Sequence, residues 1–294
     1  MRKERPIIDK AANTSTGISA SRQRMKGYFQ FSMIGLAFVV VFAVIYYITN
    51  KNDPKLQIDY TTAELIQFIK PADDAPVAIY ETDAGTFKAL LFPEQAPQWC
   101  AKFTELVKSG YYDDTSVFAI QNGVYFMGGS KTPDGTDNDA TDKTELDAEL
   151  NKDLWPFYGA IAAYGNRKSW SDPQILAGSR ALFIGSVEFT DEFKAQLDEA
   201  SDNVKLNDAF KAHGGVPNFS QQYTIFAQVY DGLDAYAKVL STEVVRPEAE
   251  KIDGKEVDMD LSPKEPMKIR KVTLSTYGEN RRDEFFTESP AAAE

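Results

Sequence analysis

The chain has 294 residues, 43% of them hydrophobic, which is enough to bury the core of one sizeable domain and excludes a disordered protein. Its net charge of −12 is the wrong sign for attracting phosphates and excludes nucleic acid as a partner. The single cysteine, Cys100, excludes an intramolecular disulfide and reads as a small buried helix residue.

The chain opens on a basic tail, residues 1–27, with seven Lys/Arg against Glu4 and Asp9. The stretch from Tyr28 to Ile48 then carries no charge and is long enough, as a helix, to span a hydrocarbon core of roughly 30 Å. Tyr28, Phe29, Tyr46 and Tyr47 sit at its two ends, where aromatic rings straddle the membrane interface. The rival reading is a cleaved signal peptide, but the segment before the stretch is long and no small-x-small site follows it. Residues 28–49 are therefore expected to be a single transmembrane anchor in the lipid bilayer of the cell membrane. The basic excess places the N-terminus in the cytoplasm and the main domain outside.

Residues 50–76 read as a linker with one short helix, in which Thr61 and Glu64 form a capping box and Pro71 is the stop. The main domain is expected over 77–277. Val77–Phe92 holds two alternating apolar runs about Asp83-Ala84-Gly85, a hairpin signal. Ala96–Gly110 has apolar residues at helical spacing and a glycine stop. Asp134–Glu149 is rich in acids but lacks the spacing of a calcium loop, so it reads as a solvated loop and no metal is expected. Strands are expected in Gln221–Val229 and Met267–Tyr277, with a helical insertion about 190–213 and a second helix over Asp231–Leu240. Asp83, Asp113 and Asp114 read as turn formers and His213 as a turn residue. Residues 278–294 have too little apolar content to fold and are expected to be disordered. Strand pair, helix, strands: this order suits a closed antiparallel barrel with capping helices.

Several blocks in this domain resemble the cyclophilin-type prolyl isomerases. "YYDDTSVFAIQNGVYFMGGS" (Tyr111–Ser130) lines up without a gap on the family's "YYDGLTFHRVIPGFVIQGGD". "ETDAGTFKALLFPEQAP" looks like the family's opening hairpin, "YGAIAAYGN" like a central strand, and "GSRALFIG" like "GSQFFI" with one residue more. "FKAHGGVPNFSQQYTIFAQVYDGLDAYAKV" is similar to the family's late block, in the inserted-loop form common in Gram-positive bacteria. The resemblance runs from about Val77 to Ser275. It implies a mainly β fold: a closed antiparallel eight-stranded barrel capped by two helices, here preceded by a single transmembrane helix. It also implies a groove for proline-containing segments of exported proteins, and no cofactor.

Rotation about a prolyl amide meets a barrier of about 18–20 kcal/mol, because amide resonance is lost in the twisted state. The family meets it with an arginine donor and a polar and aromatic shell, without metal, nucleophile or proton transfer. In this register the arginine position holds Ala119 and the glutamine position Met127. The groove positions hold Val124, Tyr125, Tyr164, Phe183, Phe219 and Tyr223, with Asn218 beside Phe219. Cyclosporin, which fills this pocket in typical members, is expected to bind weakly at best. No catalytic residue is assigned. Arg180 and the pair Arg167-Lys168 read as loop charges, and one of them pointing into the groove would restore a cation. Three functions follow as expectations. The first is an isomerase homologue of weak or absent activity that assists folding of exported proteins. The others are a non-catalytic proline-peptide-binding chaperone, and a scaffold subunit with a partner in an envelope complex.

Overall fold

The hairpin at Asp83-Ala84 opens a barrel: β1 (Pro76–Thr82) and β2 (Gly85–Leu91) pair antiparallel, with Thr82 opposite Gly85. Gly85 sits at φ +126°, and a Cβ there would meet that of Ala235 at 3.0 Å, so only glycine closes this turn without strain. The remaining strands are β3 (Thr115–Gln121), β4 (Tyr125–Ser130), β5 (Ala160–Ala163), β6 (Ala181–Ile184), β7 (Ile225–Asp231) and β8 (Met267–Thr276). They close in the order β1-β8-β3-β4-β6-β5-β7-β2, every pair antiparallel. The computed structural model describes residues 59–135, 145–164, 174–176, 179–245, 251–252, 255–256 and 262–287. The basic tail, the expected anchor at 28–49 and Arg167-Lys168 lie outside these. Among the described residues no helix is long and apolar enough to cross a membrane.

Period-two alternation sends one set of side chains inward. Ala78 and Tyr80 of β1 and Phe87 and Ala89 of β2 join Phe126 and Phe183 in the interior, where the last two rings stack at 4.3 Å. Two helices contribute to the same core. From α1 (Pro97–Lys108) come Trp99, Cys100 and Phe103, and Tyr236 and Val239 come from the later helix Leu233–Leu240. Ala96 offers α1 no side-chain cap. The carboxylate of Glu149 takes that role, accepting from the backbone N–H of Gln98 (3.0 Å) and Trp99 (3.1 Å). Part of the acidic run thus binds a helix terminus rather than solvent alone.

The insertion forms two helices, α2 (Asp191–Ala200) and α3 (Val204–His213), capped by Thr190 and Asn203; Leu233–Leu240 is α4. Helix α2 buries no residue, in line with a solvated surface. Helix α3 departs from that, burying Leu206, Ala209 and Phe210 against Phe68, Trp155 and Phe157. His213 ends α3, its ring stacked 3.8 Å from that of Phe68.

Two expectations for the flanks are corrected. The neck holds no α-helix from Thr61 to Pro71, only 3-10 turns at Tyr60–Thr62 and Ile66–Phe68. A local bond to Asp59 and tertiary bonds further along outcompete the capping box. Thr61 bonds to Asp59, Glu64 N–H donates to Asp153 Oδ1 (2.7 Å), and Gln67 is drawn wholly into the fold. Residues 278–287 of the tail are packed and hydrogen-bonded rather than disordered, and 288–294 lie outside the described residues. Phe285 and Phe286 pack on Tyr230 and Tyr277, and Thr287 N–H donates to Phe68 O (2.8 Å) while its carbonyl accepts from Lys70 N–H (2.9 Å). Two aromatic anchors suffice where average composition argues against folding.

Candidate peptide-binding face

Register pairing sets one row of side chains across five strands. Ala119 (β3) faces Met127 (β4), Met127 faces Leu182 (β6), Leu182 faces Ala162 (β5), and Ala162 faces Ile225 (β7). Residues directly opposite across a sheet share a face. All five belong to one apolar cluster, distinct from the barrel interior, and each is at most 4% exposed. A shift of register between Val117 and Ala119 bulges β3 and brings the neighbouring Phe118 into the same cluster.

Half-buried side chains rim this row. Val124, Tyr125, Tyr164, Phe219 and Tyr223 all pack against it. Tyr125 and Phe219 lie 6.0 Å apart ring to ring, and Phe219 meets Tyr223 edge-on at 5.4 Å. The sequence positions Ala119, Met127, Val124, Tyr125, Tyr164, Phe219 and Tyr223 are therefore brought together. Phe183 is not, and this is a correction. It points into the barrel, stacked on Phe126 and edge-on to Tyr80 at 5.6 Å. Its neighbour Leu182 faces the row instead. "GSRALFIG" is one residue longer than the pattern it resembles, and shifting a strand by one residue swaps its two faces. Counting alternate positions from Leu182 also finds Arg180 on the row's side.

Arg180 is held in a defined place. Its guanidinium carbon lies 5.9 Å from the Phe118 ring centroid, and its carbonyl accepts from Tyr164 N–H at 3.2 Å. The residue before it, Ser179, is buried, its hydroxyl bonded to Tyr111 Oη (2.7 Å) and Gly129 O (3.0 Å). The face thus has a buried apolar floor beneath a half-buried aromatic rim, with a cation beside Leu182. The half-buried rings are the part of it that a peptide segment can meet, by ring contacts. The five side chains of the floor carry no hydrogen-bond donor. Among the described residues no group of three or more His, Cys, Asp or Glu could hold a metal ion.

A closed eight-stranded antiparallel barrel with helices packed into its core and an apolar row across its outer face is the architecture of a cyclophilin. Residues 77–274 match the cyclophilin type peptidyl-prolyl cis-trans isomerase/CLD family, and the chain belongs to that family. It is 24% identical over 166 residues to a curated Staphylococcus aureus (strain COL) protein named as a peptidyl-prolyl cis-trans isomerase, covering 56% of this chain and 81% of that one. A Staphylococcus epidermidis protein of the same name is 23% identical over 172 residues, covering 58% and 84%. A solved Cryptosporidium parvum cyclophilin type isomerase, crystallised in the presence of the dipeptide Ala-Pro, is similar at 19% identity and a TM-score of 0.47, covering 68% of this chain and 99% of that one.

Proposed function

We propose that this chain is a membrane-anchored, extracytoplasmic cyclophilin that holds proline-containing segments of exported polypeptides on the Ala119–Met127–Leu182 face as they fold. Turnover is weak, because the two positions where the family places polar groups are apolar. The row of five apolar side chains running from Ala119 to Ile225 carries this reading. A donor accelerates rotation only where it binds the twisted amide better than the planar one. Losing one preorganised donor commonly costs about 10²–10³ in rate. The uncharged stretch 28–48 supports the anchor, and the basic residues before it support the orientation.

The test compares the full-length chain in detergent with an Ala119→Arg, Met127→Gln double variant. Peptide binding and prolyl isomerisation are both followed by NMR exchange. Peptide binding by the wild type, with a rate at least tenfold higher in the variant, supports the reading. Absence of peptide binding, with shifts that never map to Tyr125 or Tyr223, would sink it.

A further inference from the structure

The floor of the face lacks a donor, yet a cation stands beside it, and its setting is built rather than incidental. Three features fix Arg180. Ser179 before it is 2% exposed and hydrogen-bonded on both sides, the Arg180 carbonyl is tied to Tyr164 N–H, and the guanidinium lies over the Phe118 ring. A guanidinium over an aromatic face is attracted by the ring quadrupole, and its planar fork is pre-organised to donate in fixed directions. Phe118 is held in turn, since it lies against Gly135, where even a Cβ would come within 2.4 Å of the ring. By strand alternation Arg180 shares the side of Leu182, and Leu182 faces Met127. A peptide laid along the row would pass between this cation and the Tyr125–Phe219 rim.

We propose that Arg180, immediately before β6, supplies the positive charge to the twisting prolyl amide that β3 lacks at Ala119, and that the chain's remaining turnover runs through it. The inference rests on the peptide-binding reading of the face. As the C–N bond twists, amide resonance is lost, and the nitrogen lone pair becomes available to accept a hydrogen bond. A guanidinium N–H donating to it favours the twisted state over the planar one, with no bond made or broken. The aromatic wall beneath the guanidinium excludes water from one side and strengthens the interaction.

The test uses the full-length chain in detergent with Ala-Pro-containing tetrapeptides. Exchange between cis and trans forms gives kcat/KM, and titration of the same peptides gives Kd. Arg180→Ala is expected to lower kcat/KM by at least roughly tenfold, with Kd changed less than about threefold. Arg180→Lys keeps the charge but not the fork, and is expected to fall between. An Arg180→Ala rate within twofold of wild type overturns the inference. So does a wild-type rate at the uncatalysed background with peptide still bound, an outcome that leaves the binding reading standing. If no peptide binds, both fail together.

Discussion

Gln67 of the neck donates through Nε2 to Gln228 Oε1 in β7 at 2.8 Å, and both side chains are fully buried. The Gln67 amide also donates to Trp155 O (2.9 Å) and accepts from Trp155 N–H (2.7 Å), while Gln228 donates to Tyr158 O (2.8 Å). A buried amide with all its partners in place fixes one arrangement, whereas a broken set leaves several groups unsatisfied at once. The neck is therefore part of the barrel's outer wall.

Replacing Gln67 by Ala is expected to destabilise the fold by about 2–4 kcal/mol. It strands Trp155 N–H and Gln228 Oε1 away from water, and each unsatisfied group costs about 1–3 kcal/mol. Gln67→Glu keeps the acceptor but sets a carboxylate oxygen against Trp155 O and Gln228 Oε1 in a buried site, and should cost at least as much as the alanine. Urea unfolding followed by tryptophan fluorescence measures both. A loss under about 0.5 kcal/mol for the alanine variant, the scale of a surface substitution, would contradict the described neck.

The two faces of β6 separate by mutation. Phe183→Ala empties an interior site packed by Phe126, Tyr80 and Phe87, and is expected to cost about 3–5 kcal/mol, with peptide affinity of the folded protein unchanged. Tyr125→Ser removes a half-buried rim ring. It is expected to weaken peptide binding by about 1 kcal/mol or more, the scale of an aromatic contact, at smaller cost in stability. Thermal melts paired with peptide titration distinguish them. The reverse pattern would return Phe183 to the groove.

Much of this was legible in the sequence, because barrel strands announce themselves by alternation and Tyr111–Ser130 carries an ungapped pattern. The β6 face was not. With one extra residue in "GSRALFIG", the match could be anchored at either end, and only the pairing of Leu182 with Met127 and Ala162 decides which residue faces out. The neck misled for a different reason: a capping box is a local signal, and a buried Gln67 bonded to Gln228, 161 residues away, overrides it. Glu149 was hidden among other acids, and its role depends on the N-terminus of a helix 50 residues earlier. Counting back by twos from Ile184 would already have put Leu182 and Arg180 on one side.

The cap that Glu149 gives α1 can be tested directly. Its carboxylate meets two N–H groups at the start of α1, where the helix dipole also favours negative charge. Glu149→Ala is expected to cost about 1–2 kcal/mol, as loss of a good cap does, and Glu149→Gln less. Chemical denaturation gives the totals. Hydrogen exchange should show the added opening confined to the first turn of Pro97–Lys108. Unchanged stability with no local opening would make Glu149 another solvated acid.

The ordered tail has its own pH window. Tyr277 is buried and donates through Oη to Asp283 Oδ1 at 2.6 Å, and Lys70 Nζ meets the other oxygen of Asp283 at 3.1 Å. Burial, then the carboxylate partner, pushes the Tyr277 phenol up to about 12. The hydrogen bond from Tyr277, with that from Lys70, holds the Asp283 carboxyl below its ordinary value. A phenol raised on folding contributes stability that is complete below about pH 10, its unfolded value, and is lost as pH rises through the folded one. A carboxyl lowered on folding contributes stability present above about pH 4 and lost as pH falls through its folded value. The tail should therefore be held most firmly between about pH 4 and 10. Hydrogen exchange of residues 283–287, corrected for the intrinsic dependence on pH, should show added opening beyond either edge. Tyr277→Phe should abolish the alkaline edge, because it leaves no phenol to ionise, and should soften the acid one. An alkaline edge that survives in Tyr277→Phe would place its origin in another phenol, with Tyr230, raised by burial beside Phe286, the first to replace.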